Sequence, residues 1–147
     1  MTEVEFHTGV SDRAGFACRL LRKAYRQGVR VLVTAPDDVL REMDRLLWTF
    51  DERDFVPHVR VPGAPAAVAS RTPIWLSADL EQAALHGAPD VLLNLGAPVP
   101  APLAGVSRLI EVVSNDPGEA DRGRSRWRAY KAAGLNIKHH GGTDNRD

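Results

Sequence analysis

Apolar residues recur at two different spacings along the chain, and each spacing predicts one kind of element. Short alternating or β-branched stretches predict strands at residues 3–8, 29–34, 74–77, 91–95 and 108–113, with a short edge strand at 135–138. Stripes at helical spacing predict helices that begin near Ser11 or Asp12, near Pro36, near Asp79 and at Asp116. Because strands alternate with helices, the pattern indicates an α/β domain with a mostly parallel, twisted sheet flanked by helices. Residues 62–73 and 96–102 are rich in proline and predict surface loops.

The second predicted helix carries an aromatic residue outside its apolar stripe. The stripe consists of Val39, Leu40, Met43, Leu46, Leu47 and Phe50. Trp48 falls on the opposite side of the helix by the helical period. Two interpretations stay open: residues 51–61 fold back and cover Trp48, or Trp48 belongs to a protein interface, where Trp is a frequent hot-spot residue. In the second case Phe55, Val56 and Pro57 would extend the interface.

The last predicted helix has strong boundary signals. Asp116 is a good N-cap, Pro117 suits the first helical position, and Glu119 occupies the place of a capping-box carboxylate. The helix runs to about residue 133, and Gly134 can adopt the left-handed conformation that ends helices. We expect Ala129, Tyr130 and Ala133 to pack on the sheet.

This helix also carries a concentrated positive charge. Residues 122–143 contain six Arg or Lys and no Asp or Glu, although the 147-residue chain has a net charge of zero. Arg124, Arg128 and Lys131 share one face, with Trp127 at its edge. Three interpretations compete: a solvated cationic helix end, a nucleic-acid patch, or a receptor for an acidic peptide.

Composition narrows the class of protein. The single cysteine, Cys18, excludes an internal disulfide and fits the cytoplasm. The N-terminus lacks the pattern of a signal peptide, and no apolar run approaches the roughly 20 residues that span a bilayer. We therefore predict a cytoplasmic protein with no membrane segment.

Motifs of catalysis are absent from the sequence. There is no G-x-G-x-x-G, no G-x-x-x-x-G-K-[ST] and no G-x-S-x-G. Residues His7, Ser11 and Asp12 have the types of a catalytic triad, but such near neighbours rarely have its geometry. We interpret His139 and His140 as part of a flexible basic tail rather than a metal site, and His58 as structural. The sequence predicts no catalysis, no metal and no cofactor.

Residues 126–137, RWRAYKAAGLNI, resemble the C-terminal signature of the chi subunit of bacterial DNA polymerase III holoenzyme. Other segments resemble the family in the same order: Phe6-His7, residues 28–33, Leu46-Leu47-Trp48, residues 54–58 and residues 90–93. The resemblance implies a Rossmann-like domain without a nucleotide site over residues 1–140, followed by a disordered tail at 141–147. It also implies a non-enzymatic replication accessory protein of the clamp loader.

The resemblance further implies two binding sites. One grips the acidic C-terminal tail of single-stranded DNA-binding protein, whose end combines Asp side chains, a terminal Phe and a free carboxylate. The residues expected there are Arg122, Arg124, Trp127, Arg128, Lys131 and Gly134. The other site binds the psi subunit, or a helicase, through Trp48, Phe55, Val56 and Pro57. The family often has a lysine at the position of Ala120, so this chain departs from the pattern there.

Two other functions compete with this one. One is a nucleotide-dependent enzyme of doubly wound fold, which would need a glycine-rich phosphate loop. The other is a direct binder of single-stranded DNA, which would need several stacking aromatic side chains along a basic groove. The chain has only nine aromatic residues, so we expect direct DNA binding to be weak or absent.

Overall fold

The computed structural model describes residues 2–50, 55–84, 87–99 and 106–141. The strands are β1 (Glu3–Val10), β2 (Val31–Thr34), β3 (His58–Arg60), β4 (Ile74–Leu76), β5 (Val91–Asn94), β6 (Arg108–Ser114) and β7 (Asn136–Gly141). The helices are α1 (Arg13–Arg26), α2 (Asp37–Thr49), α3 (Ala66–Ala69), α4 (Leu80–Ala84) and α5 (Pro117–Ala132). Within these described ranges no helix is both long and apolar enough to cross a bilayer.

The seven strands of the described chain form one sheet in the order β3-β4-β2-β5-β6-β1-β7. Every neighbouring pair is parallel. Strands β2 and β5 are buried along their whole length because helices cover both faces, as parallel sheets require. The predicted α/β fold with a Rossmann-like parallel sheet is confirmed.

Two apolar cores lie on opposite faces of the sheet. On one face, alternate strand residues such as Val31 and Val33 pack against α1 and α2. On the other face, Leu32 and Val113 share a core with Tyr130 of α5. The stripe predicted on α2 is confirmed, since Leu40, Met43 and Leu47 are buried and the other three members are partly buried. Each fully buried aliphatic side chain contributes about 1.5–3 kcal/mol.

The connections around β1 and β6 create a crevice. These two strands are neighbours, yet the helix that follows β1 lies on one face and the helix that follows β6 lies on the other. In open α/β sheets, the crevice outside the carboxyl ends of two such strands is where ligands bind. The fold therefore predicts a ligand site at the carboxyl ends of β1 and β6.

Several local predictions were wrong. Strand β3 was not predicted, and the predicted loop 62–73 contains the single turn α3. Strand β7 is longer than expected, so His139 and His140 are strand residues and not part of a flexible tail. Gly141 also belongs to β7, whereas residues 142–147 lie outside the described residues, as does His86 of the predicted helix 79–86.

Helix α5 differs in detail from its sequence signals. Asp116 caps the helix by accepting from Glu119 N, as predicted. The Glu119 carboxylate, however, accepts from Arg13 Nη1 at 2.6 Å and from Ser114 Oγ at 2.8 Å instead of completing a capping box. Tyr130 packs on the sheet, but Ala129 and Ala133 are exposed, because the packing face of the helix is rotated toward Gly123 and Arg126.

Candidate functional site

A cavity of about 580 Å³ lies at the carboxyl ends of β1 and β6, in the crevice that the topology creates. Its lining combines strand ends with one side of α5 between Ala120 and Arg128: Phe6, Thr8, Gly9, Val113, Ser114, Asn115, Ala120, Gly123, Arg124, Trp127, Arg128 and His139. We call this cavity the Trp127 pocket. The structure thus brings together three of the six residues expected at a tail site, Arg124, Trp127 and Arg128.

A glycine lets α5 lie close to the sheet beneath the pocket. Gly123 is buried, and a Cβ atom at this position would lie 3.0 Å from both Cγ atoms of Val113. A larger residue would push the helix away from β6. The close approach sets the depth of the pocket between the helix and the strand ends.

Trp127 forms an aromatic wall of the pocket. Its ring is half-buried and lies 4.9 Å from the ring of Phe6, centroid to centroid. On another side the ring of His139 meets Trp127 edge-on at 5.4 Å, and His139 Nε2 lies 2.7 Å from Thr8 Oγ1. His139 of β7 therefore lies at this end of the pocket. These contacts hold an apolar wall beside cationic groups.

The two pocket arginines differ in their partners. Both side chains are exposed, and Arg124 Nη2 donates to Asp121 one turn earlier. Within the described residues Arg128 makes no ion pair, so it can bind an anion without first breaking one. Arg122 and Lys131 are exposed on α5 but do not line the pocket, and Gly134 ends the helix with φ of +81°.

Behind the pocket, a buried ion pair fastens α5 to the sheet. Glu111 of β6 is fully buried, and Arg126 Nε lies 3.0 Å from both of its carboxylate oxygens. Tyr130 Oη donates to Glu111 Oε2 at 2.6 Å, and Asn94 Nδ2 donates to the same oxygen at 2.9 Å. Sequence reasoning missed this network. The acidic residue within the otherwise apolar run 109–113 was the signal that could have revealed it, since a buried charge needs a partner.

Burial affects both acidic groups of this network. It raises the pKa of Glu111, while the charge and hydrogen bonds of Arg126 act in the opposite direction. Burial and the neighbouring Glu111 charge raise the pKa of Tyr130, so its hydroxyl keeps its proton and donates to the carboxylate. The donors around Glu111 leave none of its oxygens without a partner, as a buried carboxylate requires.

A second candidate surface lies on α2 and the chain before β3. Trp48 is 60% exposed and Phe55 is 50% exposed, and their ring centroids lie 5.1 Å apart. We call this pair the Trp48–Phe55 surface. Residues 55–61 do not bury Trp48, so the covering interpretation is wrong for this part of the chain. The expectation that Val56 belongs to the exposed cluster is also wrong: Val56 is 1% exposed and packs in the core with α1 and α2, because the extended chain alternates its side chains. Pro57 is half-buried.

His58 supports this surface from below, in the structural role predicted for it. Its Nδ1 lies 2.8 Å from the Val56 carbonyl oxygen, and its Nε2 lies 3.0 Å from Asp44 Oδ1. The His58 ring meets the ring of Trp48 edge-on at 5.1 Å. These contacts fix the chain that carries Phe55 against α2.

The two candidate surfaces lie near opposite edges of the sheet. The Trp48–Phe55 surface adjoins β3, which is one edge strand, and the Trp127 pocket opens at β1, next to the other edge strand. Five strand spacings of about 4.8 Å separate β3 from β1, which amounts to about 24 Å. The two candidate surfaces therefore do not overlap.

Sequence reasoning also missed a second cation-rich stretch. Residues 13–36 contain six Arg or Lys and no Asp or Glu. In the structure, α1 and the sheet surface enclose a groove of about 680 Å³ whose lining includes Arg19, Lys23 and Arg108. Its aromatic side chains are Phe16 and His7, which are few for stacking several bases.

Two of the three residue types of a catalytic triad have other partners in the structure. Asp12 caps α1 by accepting from Gly15 N, whereas His7 Nε2 lies 3.5 Å from Glu5. The chain after β2 carries Asp37 and Asp38 in the first turn of α2, where their charge opposes phosphate binding.

Comparison with known proteins gives a consistent match. A model of the family described as DNA polymerase III chi subunit, HolC, matches residues 1–138. A protein of Pseudomonas aeruginosa named DNA polymerase III subunit chi is 32% identical over 145 residues, which cover 95% of this chain and 96% of that protein. Proteins of the same name from Haemophilus influenzae and Escherichia coli are 29% and 24% identical, over 82% and 88% of this chain and 81% and 85% of their own lengths.

Proposed function

The chain belongs to the chi subunit family of DNA polymerase III, and from this premise we propose that it binds two partners at two separate surfaces. As a chi-like subunit it is a replication accessory protein. The proposal is that the Trp127 pocket binds the acidic C-terminal tail of single-stranded DNA-binding protein, and that the Trp48–Phe55 surface binds a psi-like clamp-loader subunit. One chain would then connect the polymerase assembly to coated template.

The composition of the Trp127 pocket carries the first half of this proposal. A tail that ends in Asp residues, an apolar Phe and a free carboxylate needs cationic donors beside an aromatic wall. Arg128 and Arg124 provide guanidinium groups that pair with carboxylates, and Trp127 offers an apolar face for the terminal Phe. Arg122 and Lys131 lie on the same helix outside the pocket, where their role would be to attract the acidic tail from a distance.

The exposure of two adjoining aromatic rings supports the second half of the proposal, in which the Trp48–Phe55 surface binds a psi-like subunit. The exposed large apolar side chains of the described residues are Trp48, Phe55, Val68 and Val99. Only the first two are aromatic, and their rings are in contact, tilted by 32° with centroids 5.1 Å apart. Large aromatic side chains held rigidly on a surface are typical anchors of protein interfaces. A partner that covers them would remove about half of each side chain from water.

The pocket is tested by titrating fluorescently labelled peptides against the wild-type chain. Three peptides are compared: the native tail, the tail without its terminal Phe, and a scrambled peptide of the same composition. We expect only the native tail to bind tightly, because the pocket needs the apolar end and the carboxylate together. If the scrambled peptide bound as tightly as the native tail, the pocket would be only a nonspecific cationic surface.

The partner surface is tested by capture of the psi subunit from a relative in which both subunits are known, with wild type and a Trp48→Ala, Phe55→Ala variant. Loss of capture by the double variant supports the surface. If the double variant still captures psi, psi binds at another surface. The same capture experiment with a helicase in place of psi tests the other candidate partner.

The same proposal makes the chain a non-enzymatic subunit that works in the cytoplasm. Calorimetry with ATP is expected to give no saturable binding, and saturable binding would revive the alternative of a nucleotide-dependent enzyme. A titration with bare single-stranded DNA tests the other alternative. If DNA binds more tightly than the tail peptide at the same salt concentration, the α1 groove rather than the Trp127 pocket is the main site.

A further inference from the structure

A cluster of metal-ligating side chains lies on the sheet face opposite the Trp127 pocket. Glu5 and His7 are two residues apart on β1, so their side chains point to the same face. His140 of β7 is the registered partner of His7 and points to that face as well. One ligand atom from each of the three residues lies within 4.8 Å of the other two.

We propose that Glu5, His7 and His140 bind a divalent transition-metal ion, with Zn²⁺ as the reference ion, across the β1–β7 edge of the sheet. Two imidazoles and one carboxylate form a ligand set that suits Zn²⁺ and its neighbours in the first transition row rather than Mg²⁺ or Ca²⁺. Three protein ligands leave a fourth coordination position for water or another ligand. The inference concerns a face of the sheet that the proposed function does not use.

The geometry needs only a small adjustment to hold an ion. Bonds of about 2.1 Å to a tetrahedral ion place two ligand atoms about 3.4 Å apart. His7 Nε2 and Glu5 Oε2 already lie 3.5 Å apart. The rings of His7 and His140 are stacked at 4.7 Å with an interplanar angle of 13°, and the exposed ring of His140 would tilt to direct a nitrogen at the ion.

Neighbouring groups prepare two of the ligands. Arg108 Nη2 lies 2.9 Å from Glu5 Oε1, so it fixes the carboxylate while Oε2 faces His7. Such outer contacts orient metal ligands, although the positive charge of Arg108 also weakens attraction for a cation. The Glu5 carboxylate in turn lies 3.5 Å from His7 Nε2, so it orients the imidazole of His7 within the cluster.

A bound ion would join the edge strand to its neighbour. Strand β7 contacts only β1 within the sheet, so a metal that links His140 to β1 would hold this edge in place. The adjoining His139 points to the other face, where it lines the Trp127 pocket. His139 is therefore a matched control for His140. Both histidines are exposed on β7, but only His140 belongs to the cluster.

The test is calorimetric titration of Zn²⁺ into the full-length chain, produced without a histidine tag and cleared of metal. We expect one ion per chain, and binding at least about tenfold weaker in His140→Ala, because loss of a ligand should cost no less than loss of an outer contact, which costs 10–100-fold. His139→Ala should stay within twofold of wild type. Glu5→Gln should weaken binding as well.

Nuclear magnetic resonance of the imidazole nitrogens provides a second readout that needs no variant. Added Zn²⁺ should shift the signals of His7 and His140 and leave that of His139 unchanged, and Mg²⁺ should shift none of them. The proposal is overturned if wild type binds Zn²⁺ no better than His140→Ala, or if His139→Ala loses as much affinity as His140→Ala. Equal binding of Mg²⁺ would overturn the assignment to transition metals.

Discussion

The Trp127 pocket and the Trp48–Phe55 surface both present a tryptophan on a helix, but they are built differently. Trp127 is half-buried against Phe6 and His139 in a cavity that also contains two arginines. Trp48 is 60% exposed and has Phe55 beside it, with their ring centroids 5.1 Å apart. A concave cationic pocket suits the end of a flexible acidic peptide, whereas an exposed aromatic pair suits a folded partner with its own apolar face.

The two surfaces also differ in what supports them. The pocket depends on α5, which the buried Arg126–Glu111 pair and the close approach at Gly123 hold against β6. The exposed pair depends on α2, whose apolar stripe is buried regardless of Trp48. Substitutions behind the pocket should therefore damage the fold, and substitutions at the exposed pair should damage only binding.

The largest effect is expected from Arg126→Met. The substitution leaves the buried Glu111 carboxylate without its cation, and breaking a buried pair in this way costs about 3–5 kcal/mol of unfolding free energy. Urea denaturation measures the loss. Arg122→Met is the matched control, because Arg122 is exposed on the same helix, and it should change the free energy of unfolding by less than about 0.5 kcal/mol. If the two variants lost similar amounts of unfolding free energy, the Arg126–Glu111 pair would not be a specific source of stability.

The second largest effect is expected for the partner subunit. Interface anchors typically contribute about 2 kcal/mol or more each, so Trp48→Ala alone should weaken psi binding by at least about 30-fold. The free energy of unfolding should change little, because the Trp48 side chain is mostly in water already. Val68→Ala serves as control, since Val68 is also exposed but lies on α3. A large loss of stability in Trp48→Ala would show that Trp48 is a structural residue.

A smaller effect is expected from Arg128→Ala on tail binding. Loss of a charge-assisted hydrogen bond costs about 1.5–3 kcal/mol, and the exposure of Arg128 places the loss near the lower end, at about tenfold in affinity. Lys131→Ala removes the same charge from the same helix outside the pocket and should stay within about twofold. Peptide titrations compare the two. Equal losses would mean that the net charge of α5, and not the pocket, determines affinity.

The smallest effect is expected from salt. Higher ionic strength screens the contacts of the tail with the exposed arginines, so tail affinity should fall. The preference for the native tail over the tail without Phe should persist, because burial against Trp127 does not depend on charge. The Trp48–Phe55 surface, which is apolar, should bind its partner with little salt dependence. Titrations at low and high salt measure the affinity of each surface for its ligand. Equal salt dependence would contradict the proposed difference between a cationic pocket and an apolar surface.

Much of the fold could be predicted from the sequence, because its strong elements are locally encoded. The β-branched stretches gave β2, β5 and β6, and helix signals such as the Asp116 cap gave α5. The short edge strand β3 was missed because three residues are too few to show the alternation of apolar and polar side chains that predicts a strand. Strand β7 was predicted too short, since the polar residues His139 and His140 join the sheet only by pairing with β1, and pairing partners are not visible in local sequence.

The sites were predictable only in part. Helical spacing placed Arg124, Trp127 and Arg128 together, and it placed Trp48 outside the core. Arg126 was counted merely as one of six cations, since a helical wheel does not reveal which cation meets a buried acid on a distant strand. Val56 was misplaced because the sequence alone does not show which side chains of the extended segment before β3 face the core. The inward-facing Glu111 shows that long-range pairs need the sheet register.

The central claim is that the acidic tail binds at the Trp127 pocket and not at the Trp48–Phe55 surface. The most direct measurement is fluorescence anisotropy of a labelled tail peptide titrated with three proteins: wild type, Trp127→Ala, and the Trp48→Ala, Phe55→Ala variant. We predict that Trp127→Ala weakens tail binding by at least about tenfold, as expected for loss of an aromatic anchor. The double variant should bind within twofold of wild type. Equal binding by Trp127→Ala and wild type, or a comparable loss in the double variant, would contradict the claim.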